Sequence, residues 1–176
     1  MSKTLFALAL TLGLGSFANV HAATPAPAIN DAQIAHIAYT AGAIDVTAAK
    51  QALGKSHNQA VRQFAEEMAR DHAAVNDQAL ALAKKLGVTP ADNGTSQSLA
   101  KGAAAEQAKL AALSGAAYDK AYAENEVAFH KAVLAALDGT LIPSTQNAEL
   151  KSLLETGSKL FHEHEMHAEH LAASLK

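Results

Sequence analysis

No cysteine occurs among the 176 residues. That absence excludes disulfides, thiolate ligands and a lipid-modified cysteine anchor, so stability has to come from packing, and any metal chemistry has to use His, Asp, Glu or Met. Aromatic residues make up only 5% of the chain and β-branched residues are sparse. Beyond the first residues nothing alternates apolar and polar side chains. A sheet protein is excluded, and the abundance of Ala, Leu, Glu, Lys and Gln gives an all-α class. A Gly-rich phosphate loop, a nucleophile elbow and a cysteine nucleophile are also missing, which removes the common routes to phosphoryl and acyl transfer.

The opening MSKTLFALALTLGLGSFANVHA carries Lys3, an apolar run from Leu5 to Leu14 and a small-residue end at Ala22. This layout predicts a signal peptide over residues 1–22, cleaved after Ala22, and a periplasmic or secreted mature chain. The run is shorter than the roughly 20 apolar residues that span a bilayer, so no transmembrane segment is expected in the mature protein. Loss of Lys3 with this leader leaves 13 basic against 17 acidic residues, and no basic face for nucleic acid or an anionic membrane. Residues 23–30 read as a flexible segment and 31–175 as one domain, long enough for its own core.

Four long periodic segments follow. Asn30 or Asp31 caps a helix running to about Leu53, and the GKSHN break at 54–58 leads into a second helix ending at Leu86 and Gly87. A shorter helix, about Leu99 to Leu113, precedes a third long one that ends near Leu137 at DGT. After LIPSTQ a fourth spans about Asn147 to Leu175. The pattern predicts a four-helix bundle.

At about 100° per residue, each long helix turns a titratable side chain into its apolar stripe. Asp45 lies among Ile34, Ala38, Ala41, Ala49 and Ala52. His72 lies among Val61, Ala65, Met68 and Val75, while Asp119, Glu126 and His130 share a face with Ala123, Val133 and Leu134. In FHEHEMHAEH, residues 161–170, His164 falls in the middle of a stripe formed by Leu150, Leu153, Gly157, Leu160, Ala168 and Leu171. His167 is at its margin. His162, Met166 and His170 point outward at four-residue steps, either as a solvated face or as a weak surface site for a soft or borderline ion. Tyr118, Asp119 and Tyr122 read as a packing and hydrogen-bonding group.

An isolated buried charge costs several kcal/mol or neutralises, so these residues need partners. Two arrangements satisfy them: a hydrogen-bonded Asp/Glu–His network that fixes helix register, or a divalent metal on Asp45, His72, Glu126, His130 and His164, with Met68 in reach. An up-down-up-down bundle would split the residues into layers roughly 10 Å apart. If the 27 residues from Val88 to Ser114 cross the length of the bundle, all fall within a slab roughly 10 Å thick. Such a connection is far longer than an antiparallel turn needs, which favours the crossover.

The stretches AVRQFAEEMARDHAAVNDQ, SGAAYDKAYAENEVAFHKAVLAAL and HEHEMHAEHLAASL resemble the exported bacterial family called domain of unknown function 4142. Met68 with Asp71 and His72, Tyr118 with Asp119 and Tyr122, His130, and His164 with Ala168 and Leu171 carry the likeness, which covers nearly the whole mature chain. Asp45 stands where the family commonly has glutamate, and Tyr118 where it has phenylalanine. The resemblance implies a ferritin-like four-helix bundle and no established reaction; joined to the shorter helix at about Leu99 to Leu113, the expected fold is that bundle with a long crossover containing a short extra helix. The Glu-x-x-His motif of di-iron bundles is missing, since Ala69 and Phe161 stand three positions before His72 and His164. A His-rich set with few carboxylates suits zinc or copper better than iron.

Two functions are compatible with these residues. One is a non-enzymatic bundle with a structural, protective or stress-related role that holds a divalent ion. The other is a metal-dependent redox protein or enzyme built on the same cluster, with copper, zinc or iron. Alanine-rich outer faces also permit self-association as a homo-oligomer, and an exported chain can attach peripherally to the envelope.

Overall fold

A computed structural model of the protein describes residues 29–175. The expected signal peptide and residues 23–28 lie outside the described residues. Helix α1 (Asp31–Lys55) starts at a capping box in which the Asn30 side chain accepts from Gln33 N and the Gln33 side chain accepts from Asn30 N, satisfying two otherwise orphaned donors. Asn58, Asn93 and Asn147 accept from first-turn amides to cap α2 (Gln59–Leu86), α3 (Gly94–Ala111) and α6 (Ala148–Ser174), with a second capping box at Asn93 and Ser96. Gly87 ends α2 with a φ of 65°, a left-handed conformation that suits glycine. Among the described residues none of these helices is long and apolar enough to cross a membrane.

Two boundaries differ from the sequence reading. The crossover helix α3 begins at Gly94 rather than near Leu99, because Asn93 accepts from Thr95 N and Ser96 N while Ser96 is buried. At the other end, α4 (Gly115–Ala136) does not stop at DGT. A π-helical turn over Leu137–Leu141 carries it into the short α5 (Ile142–Ser144). Leu137 and Leu141 are both buried, and Asp138 accepts a 2.8 Å hydrogen bond from Ser158 Oγ on α6, so tertiary contacts hold this widened turn despite Gly139.

Hydrogen bonds fix the helix directions. Ala91 N donates to Ala32 O at 2.9 Å near the start of α1, and Gln51 Nε2 and Lys55 Nζ donate to Gln107 O and Ala111 O near its end, at 3.0 and 2.7 Å. Helix α3 therefore runs beside α1, in the same direction, along the length of the bundle. Helix α4 starts where α1 ends and runs back. Helix α6 then starts beside α1's first residue, where Asp31 accepts from Gln146 N and Asn147 N at 2.9 and 2.8 Å. The long connection crosses the bundle as expected.

This topology brings the polar residues level. Asp45 is 14 residues beyond Asp31, His72 is 14 before Leu86, and His164 is 16 beyond Ala148, so an equal rise per residue places them at one height. Above them packs an apolar core that includes Phe64, Met68, Leu110, Tyr118, Tyr122 and Leu171. Below them lies another with Ile34, Ile37, Leu134, Leu154 and Phe161.

Leu110 is 1% exposed, and the only other buried residue that α3 contributes is Ser96. Leu110→Ala is expected to cost about 2–5 kcal/mol and to strip hydrogen-exchange protection from α3 before α1. Denaturant stability within about 1 kcal/mol of the parent would contradict this anchoring role.

Candidate metal centre

Each long helix delivers its predicted residue to the middle of the bundle. Asp45, His72, Glu126, His130 and His164 are all at most 1% exposed. His72, His130 and His164 each offer a ring nitrogen, and these atoms lie within 4.8 Å of one another. Asp45, Glu126 and His130 form a second such group. The rings pack with centroids 4.9 Å apart for His72 and His164, 5.7 Å for His72 and His130 and 5.8 Å for His130 and His164.

The hydrogen bonds show which nitrogens face inward with lone pairs. His130 Nδ1 lies 2.9 Å from the carbonyl oxygen of Glu126, a pure acceptor, so Nδ1 carries the proton and Nε2 the lone pair. His164 Nε2 lies 3.3 Å from Asp71 Oδ2. Asp71 is ionised, because the Arg70 guanidinium that donates to it holds its carboxyl below the usual range. His164 Nε2 is therefore protonated, and Nδ1 turns a lone pair toward His72 Nε2 at 3.1 Å. Asp45 Oδ2 is 3.4 Å from that same His72 nitrogen but makes no hydrogen bond. Among the described residues, His130 Nε2, His72 Nδ1 and Glu126 Oε2 are buried without a partner.

Burial sets the charge. Desolvation pushes His72 down to about 2 and His130 down to about 4, and also lowers His164. It pushes Glu126 up to about 8 and raises Asp45, with the neighbouring Glu126 adding to the latter. Near neutral pH the imidazoles are neutral and Glu126 is protonated, so Glu126–His130 is a close polar contact rather than an ion pair; burial shifts Asp45 in the same direction as Glu126.

The other sequence candidates are placed differently. Met68 is fully buried one turn before His72 but belongs to the upper apolar core. His162 is exposed, with Asp138 at 3.6 Å and Glu165 at 3.9 Å, and Met166 is 57% exposed. His170 is exposed too, and among the described residues neither surface histidine joins a group of three donors. His167 pairs with Glu67 at 2.7 Å.

Sequence reasoning missed the half-exposed side of the centre. Glu67, Asp71 and His164 form a third donor group. The i, i+4 spacing of Glu67 and Asp71, beside Met68 and His72 on the same helix, is the signal that marks this flank.

The family model described as Domain of unknown function (DUF4142) matches residues 16–171. The chain belongs to this family. No curated protein and no solved structure matches it. Within this DUF4142 chain the buried His/Asp/Glu group is one of the constellations whose donor atoms could hold a metal ion.

Proposed function

We propose that this protein is an exported helical bundle that holds one divalent transition metal at the His72, His130 and His164 cluster, with Asp45 and Glu126 completing the donor set. The observation that carries the reading is the set of inward lone pairs. His130 and His164 each have one ring nitrogen tied to an outer acceptor and the other turned to the centre, the arrangement that orients metal-ligating imidazoles. The 3.1 Å between His164 Nδ1 and His72 Nε2 is close to the roughly 3.3 Å that separates two nitrogens on one tetrahedral ion, and His72 would ligate it with its proton moved from Nε2 to the unpartnered Nδ1. Imidazole-rich donors suit zinc or copper. The donors are wholly buried in two triads that share His130, a setting that fits a holding or protective role better than turnover. The leader-like residues 1–22 support a location outside the cytoplasm.

The test is metal uptake. Chain stripped with a chelator is incubated with micromolar zinc(II) or copper(II), gel-filtered and subjected to elemental analysis. About one equivalent is expected to stay with the parent and with a His162→Ala/His170→Ala variant, and none with His72→Ala/His130→Ala. A parent chain that retains neither ion overturns the reading.

A further inference from the structure

Below the polar layer the bundle holds a partly open pocket of about 140 Å³, walled by apolar side chains such as Ala38, Val133, Leu154 and Phe161. Two residues keep it open. Gly157 is buried in the interior of α6 and lines the cavity, and a Cβ added there would meet nothing within 4 Å. Glycine weakens a helix interior relative to alanine, and here alanine would fit. The small residue preserves space rather than relieving a clash.

Asn76 supplies the second feature. It is 8% exposed, lines the same cavity, and its amide makes no hydrogen bond to protein among the described residues. Its polar atoms are not among the fully buried unpartnered ones, so the amide remains free to hydrogen-bond to what enters the pocket. Its placement depends on Gly42 of α1, where a Cβ would come within 2.5 Å of Asn76 Oδ1. One glycine admits the amide and another leaves the void it faces.

We propose that this cavity binds a small uncharged molecule with an apolar body the size of an aromatic ring and one polar head that hydrogen-bonds to Asn76. The size follows from the volume, since an apolar cavity of about 150 Å³ accommodates benzene. The apolar lining excludes ions, which would lose hydration without a partner. The Asn76 amide offers one donor–acceptor pair to a hydroxyl or carbonyl.

Phenol and benzene serve as probes, titrated into chelator-treated parent protein and followed by NMR of the Asn76 side-chain amide and the Leu154 and Val133 methyls. Both are expected to bind, with phenol shifting the Asn76 signals. Asn76→Leu is expected to weaken phenol by about tenfold, the worth of one hydrogen bond, while sparing benzene. Gly157→Leu, which fills the void, is expected to abolish both, and the milder Gly157→Ala to weaken both. A parent chain that binds neither probe, or unchanged binding in Gly157→Ala, overturns the proposal. Because the experiment needs no metal, its failure leaves the metal reading standing.

Discussion

In chelator, the protein is expected to lose about 2 kcal/mol of stability as pH rises from about 6.5 to 8, and zinc(II) is expected to reverse that loss. Glu126 has its folded-state pKa raised to about 8 by burial. Its contribution is fully present below about 4.5 and declines through 8 at about 1.4 kcal/mol per pH unit. Asp45, also raised, acts in the same direction. The histidines have the opposite sign. Their folded pKa values are depressed, to about 4 for His130 and about 2 for His72. Their contribution is present above about 6.5 and lost as pH falls toward those values. Between about 4.5 and 6.5 the two trends oppose one another; below that range the histidine loss is unopposed, at up to about 2.7 kcal/mol per unit for the pair.

The metal-free protein therefore has its stability maximum in mildly acidic solution. A bound ion requires both carboxylates ionised, so it reverses the alkaline limb, and a ligand at about a thousand times its Kd contributes about 4 kcal/mol. Thermal scans at pH 5.5 and 8, with chelator and with zinc(II), read this directly. A chelated Tm that climbs steadily to pH 8 would contradict the assigned protonation states.

Phe161→Ala is expected to cost about 3–5 kcal/mol and to lower Tm by roughly 10 °C or more. Phe161 is 6% exposed, with its ring edge-on to His72 at 4.7 Å and tilted against His130 at 5.1 Å, and its other side lines the apolar cavity. Alanine would join cavity and centre into one space and lose the ring contacts with both histidines. Water reaching the centre would lower the penalty on ionised Glu126. Both Tm and the alkaline loss of stability are expected to shrink in this variant. A Tm within 2 °C of the parent would show that the ring separates nothing of consequence.

Much of this centre was legible in the sequence because a helix imposes a 100° step. That step separates His162 from His164 and puts Asp45, His72, Glu126 and His130 on apolar stripes, and all five candidates are buried as expected. The crossover followed from the length between Val88 and Ser114. Residues at the margins of stripes were harder. The stripe of α6 centres on Leu154, Phe161 and His164, a little to one side of Leu153 and Leu160, since the angle at which a neighbouring helix packs is a tertiary property. Asn76 and Asp71 are polar and read locally as solvent-facing. Only their neighbours, Gly42 for one and Arg70 with His164 for the other, give them a place. The π-helical turn over DGT is invisible locally, because glycine argues for a stop while Leu137 and Leu141 are drawn inward.

The crossover also constrains the order of events as the chain matures. With α3 carrying the chain back along α1, the donors come from positions 45 to 164 and from four helices, the last being α6. Neither half of the chain contains the donor set, and no partly made chain presents it until its C-terminal helix has docked. Under the proposed metal reading, capture would be a whole-chain event, and the ion acquired would be the one available where folding finishes.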